Sequence, residues 1–257
     1  MTRDTGGYLA VAPRPEARLR LFCFHHAGAG ALSFARWPGR VPADVSVVPV
    51  RLPGRESRLR EPRLTDRDAL LAALDIQLGP HLDGPHAFYG HSLGALVAHA
   101  YAEHREGLGL RTPELLVTAA CAAPHLTVAA LERDDLSDAD LLAVLGGADG
   151  ISPYLLERPG WLQLMVDTMR DDLALARSLR TAARPVAGVP VLGLAGSRDR
   201  LLRPAAVRAW SGWTGAGFRL RTVDGDHYFV RDPATPALVA AALAGAAPAP
   251  AALATAH

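Results

Sequence analysis

Only two of the 257 residues are cysteine. Cys23 and Cys121 lie in apolar segments and have none of the close spacings that hold a metal or build a disulfide framework, so they read as buried thiols in a reducing, cytoplasmic compartment. Net charge is also scarce: 27 Lys and Arg stand against 26 Asp and Glu, leaving +1. No broad field of one sign is present to attract nucleic acid or a membrane surface. No apolar run approaches the ~20 residues of a transmembrane helix. The stretch Met1 to Gly7 lacks the basic and apolar regions of a signal peptide, and no internal repeat is evident. What the chain does have is 49% hydrophobic residues, enough for a large core. At this length one α/β domain over 1–257 is expected, with an Ala/Pro-rich, disordered tail at 246–257.

The most informative stretch is Phe88-Tyr89-Gly90-His91-Ser92-Leu93-Gly94-Ala95-Leu96-Val97. It reads as a short aromatic strand, a sharp turn and a buried helix, the pattern of a nucleophile elbow. Residues flanking the serine in such a turn must be small, and Gly90 and Gly94 supply no Cβ to clash. The turn lifts the Ser92 hydroxyl into a site and aims helix N-terminal N–H groups at it.

Around this elbow, strand and helix signals alternate. Strands are expected at 18–24, 45–50, 86–89, 115–119, 189–194 and 218–223. Helices are expected from Ser33 as a cap through Trp37, after a Thr65 or Asp66 cap over Leu70, Leu71, Leu74 and Leu78, after the elbow, and at 236–243. The alternation predicts a mostly parallel sheet with helices on both faces. From about 131 to 183 the strand signal disappears. Leu141 to Gly147 reads as a short helix with a glycine stop, and Leu162, Met165, Val166, Met169, Leu173 and Ala176 fall at helical spacing. A helical insertion between strands of a catalytic sheet is a candidate lid, with Met165, Met169 and Leu173 on the apolar face toward a substrate chamber.

A serine hydroxyl needs a base, and the base needs an acid to orient it. On a sheet of this kind the chain order is Ser, then Asp or Glu, then His. Of ten histidines only His227 and His257 follow the strand at 189–194. His257 ends the tail, so His227 is the candidate base. Asp199, just past a strand's carboxyl end, is the candidate acid. Asp224 and Asp226 are rivals in an Asp-Gly-Asp turn. The oxyanion donors expected are the backbone N–H groups of Leu93 and Ala27. His26 reads as a loop-shaping residue. The His25-His26 pair has no accompanying metal motif, so no metal and no cofactor are expected.

Five segments occur in order: Phe24-His25-His26-Ala27-Gly28-Ala29-Gly30 with Phe34 and Trp37, Leu52-Pro53-Gly54-Arg55-Glu56, the Gly90–Ala95 elbow, Ala195-Gly196-Ser197-Arg198-Asp199, and Gly225-Asp226-His227-Tyr228-Phe229. Together they resemble the type II thioesterases of polyketide and nonribosomal peptide pathways, over residues 18–245. The resemblance implies an α/β-hydrolase fold. It also implies a Ser92-Asp199-His227 triad, a lid at 131–183, and hydrolysis of acyl or aminoacyl thioesters from the phosphopantetheine arm of acyl or peptidyl carrier proteins. Two positions of the oxyanion loop depart from the family pattern: His25, where Pro is usual, and Ala29, where a second Gly is usual.

Other readings compete. Gly28-x-Gly30 after a strand imitates a dinucleotide fingerprint, but its third position is Ser33. A binding protein without turnover on the same fold is another, although all three triad residues are present. A cyclising acyltransferase or a small-molecule esterase would use the same triad. The arginines at 51, 55, 58, 60 and 63 read mainly as a solvated surface stretch, some of them available to dock an acidic carrier. Arg55 and Glu56 read as a structural ion pair.

Overall fold

The computed structural model describes residues 6–126, 128, 136–146 and 157–246. Six strands form one sheet in the order β2-β1-β3-β4-β5-β6, and every neighbouring pair is parallel. They are β1 (Leu19–Phe24), β2 (Val45–Val50), β3 (His86–His91), β4 (Leu116–Ala119), β5 (Val191–Gly196) and β6 (Phe218–Val223). The α-helices among the described residues are α1 (Arg67–Leu78), α2 (Leu93–Gly107), α3 (Asp138–Gly146), α4 (Pro159–Thr181), α5 (Pro204–Arg208) and α6 (Ala234–Ala246).

Both faces of the sheet are buried, which is why the central strands are apolar almost throughout. Phe22, Phe24 and Phe88 point to one side and pack on α1, α2 and the end of α4. Leu21, Cys23, Tyr89 and Val117 point to the other and pack on Trp37 and on Val239 and Leu243 of α6. Side chains alternate between faces at every residue, so this register is fixed by burial on both sides.

Asp66, not Thr65, caps α1: its carboxylate accepts from Asp68 and Ala69 N–H at 2.9 and 3.0 Å. The segment opened by Ser33 in the sequence reading is instead a single 3₁₀ turn, Ala31–Phe34, preceded by Gly30 and without a side-chain cap. α3 begins three residues earlier than its apolar run, and α6 extends beyond 236–243 at both ends.

Of the insertion at 131–183, residues 131–135 and 147–156 lie outside the described residues, as do His257 and the tail beyond 246. The described parts, α3 and α4, contain no strand. They join through a small apolar cluster of Leu136, Leu141, Val166, Met169 and Leu173 against Ala27. Three consecutive residues of α4 then reach three different segments. Arg170 pairs with Asp138 of α3, Asp171 with Arg63, and Asp172 with Arg55. Successive helical residues point about 100° apart, so this short charged run ties the helix on three sides.

Candidate active site

The site lies at the carboxyl ends of β1, β3, β5 and β6, where loops leave the sheet. β3 passes directly into α2 through Ser92, whose φ of 53° and ψ of −116° place a non-glycine residue in a strained region. Strain of this kind costs about 1–3 kcal/mol and is held in place by its surroundings. Here the surroundings are backbone. A Cβ on Gly90 would sit 2.1 Å from the Gly94 carbonyl oxygen, and one on Gly94 would sit 2.1 Å from the Phe24 carbonyl oxygen. The Ser92 N–H is also held, by the Ala119 carbonyl at 2.8 Å. Ser92 therefore sits at the amino end of a buried 15-residue helix, whose first N–H groups have no partner within the helix and carry its positive dipole end.

Asp199 and His227 come together from the loops after β5 and β6. Two backbone bonds zip these loops: Ser197 N–H to the Val223 carbonyl and Arg198 N–H to the Gly225 carbonyl, both 2.8 Å. The approach is close enough that a Cβ on Gly196 would stand 2.6 Å from the Asp226 carbonyl. His227 Nδ1 then donates to Asp199 Oδ2 at 2.8 Å, while Asp199 Oδ1 accepts from Leu201 and Leu202 N–H. Burial pushes the Asp199 carboxyl up, but the His227 bond, the His227 charge and the two N–H groups outweigh it and hold the carboxyl below its ordinary value. The rival carboxylates are engaged elsewhere. Asp224 meets Arg198 and Ser197, and Asp226 accepts from Tyr228 N–H.

Ser92, Leu93, Ala27 and His227 line one pocket, which holds about 740 Å³ of atom-free space with its mouth included. Its far wall comes from α4, through Met169, Leu173 and Ala176. Met165 does not line it; that side chain lies half-buried outside the pocket. The apolar stripe read from the sequence marks the helix's buried side, but the side is wider than the pocket.

The structure adds neighbours that the motifs do not name. His91, inside the elbow, donates from Nε2 to the His227 carbonyl at 2.7 Å and accepts at Nδ1 from the Tyr89 hydroxyl at 2.9 Å. Burial and the neighbouring histidines hold its pKa, like that of His26, well below the ordinary value, so both rings are neutral. His26 packs edge-on to His91 and Tyr228, in keeping with a loop-shaping role. The Tyr228 hydroxyl donates to the Val144 carbonyl of α3 at 2.6 Å, linking the His227 loop to the helical segment. Asp172 was detectable in the sequence, since it is an acidic residue interrupting the apolar stripe Met165, Met169, Ala176 at helical spacing.

The two departures in the loop after β1 differ: Ala29 fits its backbone, whereas the buried His25 ring is bonded at Nδ1 and has no partner at Nε2 among the described residues. Buried His25 donates from Nδ1 to the His26 carbonyl at 2.9 Å. The left-handed residue is Gly28, at φ +73°, whereas Ala29 has no positive φ and tolerates its Cβ.

The arginine-rich loop differs from its sequence reading. Arg51, Arg55 and Arg58 are buried, and pair with Glu56, Asp172 and Glu61. Arg63 pairs with Asp171, and Arg60 is exposed. Arg55 and Glu56 do form ion pairs, but not with each other. Four of the five guanidinium groups thus organise this side of the molecule instead of presenting charge to a partner.

Comparison with known proteins agrees with this arrangement. The Thioesterase domain model matches residues 19–243. The chain belongs to the thioesterase family. The prodiginine-pathway thioesterase RedJ of Streptomyces coelicolor superposes with a TM-score of 0.79 at 30% identity, over 90% of this chain and 91% of that one. The type II thioesterase BorB from the borrelidin biosynthetic cluster superposes with a TM-score of 0.74 at 28% identity, over 91% and 94%. LgrE of Brevibacillus parabrevis, named a linear gramicidin dehydrogenase, is 32% identical over 219 residues, covering 84% of this chain and 83% of that one. This thioesterase is an α/β-hydrolase and a thioester hydrolase of the type II, editing class found with nonribosomal peptide and polyketide synthases. The dinucleotide reading of Gly28-x-Gly30 fits poorly. The loop's N–H groups at Gly28 and Leu32 are already bound by the carboxylates of Asp172 and Glu56, which would repel a pyrophosphate, and a 3₁₀ turn follows instead of an α-helix.

Proposed function

We propose that Ser92, His227 and Asp199 form a catalytic triad that cleaves acyl or aminoacyl thioesters carried on the phosphopantetheine arm of acyl or peptidyl carrier proteins. The observation carrying this reading is the 2.8 Å bond from His227 Nδ1 to a buried, ionised Asp199, in a pocket shared with an elbow serine. Because Nδ1 holds its proton toward Asp199, Nε2 is the free base. It takes the Ser92 proton as Oγ attacks the thioester carbon. The N–H groups of Leu93 and Ala27 stabilise the resulting oxyanion. Collapse expels the pantetheine thiol, which receives the proton from His227, and leaves an acyl-serine. Water, deprotonated by His227, then attacks the acyl carbon; collapse releases the acid and expels Ser92 Oγ, which takes the proton back from His227.

Under this reading α3 and α4 form a lid. Met169 and Leu173 give it an apolar wall that adapts to varied acyl groups. Recognition of the carrier does not use most of the Arg51–Arg63 loop, because those side chains are engaged within the protein. Two unpaired, buried thiols, and the lack among described residues of a helix able to cross a membrane, fit a cytoplasmic enzyme serving a synthase.

The test is mass spectrometry of defined acyl-carrier proteins incubated with the enzyme. Acyl groups should be released with higher kcat/KM from carriers than from matched acyl-pantetheines, chiefly through KM. Ser92→Ala, which fits the turn, should abolish release and acyl-enzyme formation alike. Equal kcat/KM for carrier-bound and free thioesters points to a general esterase; full activity in folded Ser92→Ala removes the serine mechanism.

A further inference from the structure

We propose that Asp172 and Arg55 are positioning residues that build the oxyanion loop onto the lid helix, so that the oxyanion hole takes its shape only with α4 seated. This rests on the reading of the Ala27 N–H as an oxyanion donor. Asp172 Oδ2 accepts the N–H of Gly28, the very next residue, at 2.8 Å. The same carboxylate holds Arg55 in a two-pronged pair, 2.9 Å at Oδ1 and 3.0 Å at Oδ2. Arg55 in turn donates to the Ala29 carbonyl at 2.9 Å. Gly28 and Ala29 are therefore gripped from both peptide edges by one ion pair, whose side chains are 1% and 7% exposed. Glu56 completes the hold by accepting from Leu32 N–H at 2.9 Å while paired with Arg51.

Each member comes from a different part of the chain. Asp172 is on α4, Arg55 and Glu56 follow β2, and the loop they grip follows β1. Within the loop one backbone bond, from Ala29 N–H to the His26 carbonyl at 3.2 Å, closes a turn, but Gly28 inside that turn is left-handed and conformationally free, so the turn alone leaves its peptides loosely held. The lid presses on the same residue: a Cβ at Gly28 would meet Leu145 of α3 at 2.3 Å, and Met169 lies just beyond. A buried carboxylate directed at the Gly28 N–H fixes the Ala27–Gly28 peptide plane; the Ala27 N–H lies in the adjoining plane, whose His26 carbonyl accepts from the Ala29 N–H at 3.2 Å, so gripping Gly28 and Ala29 holds that plane from its far side. Oxyanion donors act through preorganised geometry, so a loosened plane loses transition-state stabilisation before it loses substrate binding.

The experiment measures Asp172→Ala, Asp172→Asn and Arg55→Lys for hydrolysis of an acyl-pantetheine and for inhibition by an alkyl trifluoromethyl ketone, which adds Ser92 to its carbonyl and presents a tetrahedral oxyanion. Asp172→Ala should lose about 100-fold in kcat, the scale of one oxyanion donor, with KM within a few-fold. The ketone inhibition constant should rise in parallel. Asp172→Asn, which keeps an acceptor for Gly28, should fall between it and wild type, and Arg55→Lys should show the same kcat-linked pattern more weakly. A folded Asp172→Ala with unchanged ketone affinity, or with its loss confined to KM, overturns the proposal. If Asp172→Ala does not fold, Arg55→Lys decides by the same criterion, and failure of both to fold makes the pair a stability element and overturns a positional role. Wild-type enzyme that the ketone does not inhibit would instead remove the serine and oxyanion reading beneath it.

Discussion

The elbow side of the pocket and the lid side are made in different ways. On the elbow side the geometry comes from backbone pressed against backbone: Gly90 on Gly94, Gly94 on Phe24, and Gly196 on the Asp226 loop, with no room for a Cβ at any of them. On the lid side it comes from charged side chains reaching across long stretches of sequence, Asp172 to Arg55, Asp171 to Arg63 and Arg170 to Asp138. Close backbone packing leaves little freedom and is insensitive to solvent. Ion pairs have discrete geometry but can part. Under the proposed mechanism the difference suits a fixed nucleophile facing a wall that must admit varied acyl groups.

The largest effect expected is on the fixed side. Asp199→Asn keeps the shape of the acid but removes the charge that stabilises the His227 imidazolium, and turnover should fall by ~10⁴. Asp224→Asn and Asp226→Asn should stay within a few-fold of wild type, since neither carboxylate touches His227. Steady-state kinetics on one acyl-pantetheine separates the three. Near-normal turnover in Asp199→Asn would mean that the zipped loops alone orient the base.

Acid should distinguish the two sides through stability. Five buried histidines, His25, His26, His86, His91 and His99, have pKa values lowered chiefly by burial, His25 to about 3 and His86 and His99 to about 4. All lie on β1, β3, α2 or the loop after β1, and neither α3 nor α4 contains a histidine. Unfolded, each titrates near the ordinary value of about 6.5. Above that pH neither state is protonated and their contribution is complete. As pH falls below it, the unfolded chain binds protons that the folded chain refuses, and stability drops by about 1.4 kcal/mol per pH unit for each histidine. Denaturant unfolding at pH 7 and pH 5.5 should show a loss of several kcal/mol. His99→Gln, on α2 between Trp210 and Trp213, should reduce the slope by one histidine's share. An unchanged slope would mean that His99 is protonated in the fold.

The same contrast explains what could be read from the sequence. The elbow is contiguous, so Gly90-x-Ser92-x-Gly94 between an apolar strand and helix displays its geometry directly. Asp199 and His227 are 28 residues apart, yet chain order and their places after two strands single them out. The lid contacts are marked more weakly: the apolar stripe flags Asp172 as a carboxylate on a buried face but does not name its partner. Asp172 lies 117 residues from Arg55 and 144 from Gly28, and helical periodicity reveals which face is buried without revealing what it meets. The arginines at 51, 55, 58, 60 and 63 read as mainly solvated because arginine is mostly exposed; in the fold Arg51 and Arg58 find carboxylates within the same loop, Glu56 and Glu61, while Arg55 and Arg63 find theirs on α4, where no local pattern points to them. The Ser33 cap is absent for a local reason: Ser33 lies inside a single 3₁₀ turn entered from extended Gly30, and the Ala35 N–H it would accept is bound by the Leu32 carbonyl at 3.1 Å.

The smallest effect, and the one that most sharpens the comparison, concerns Met169. It is 3% exposed, packs with Leu141, Val166 and Leu173, and also lines the pocket across from Ser92. A tryptophan there has no space on the helix-packing side, so its extra volume must enter the pocket. Met169→Trp should leave short acyl groups nearly unaffected and reduce kcat/KM for the longest accepted chain by about tenfold, the scale at which a pocket discriminates one or two methylenes. Met165→Trp is the matched control. It sits four residues earlier on the same helix but outside the pocket, and should leave the chain-length profile unchanged. If both variants shift the profile alike, the effect comes from a displaced helix, not a filled chamber. If neither does, the acyl chain runs along the Ala120–Ala122 side of the pocket, against the sheet, and α4 serves that pocket only as packing.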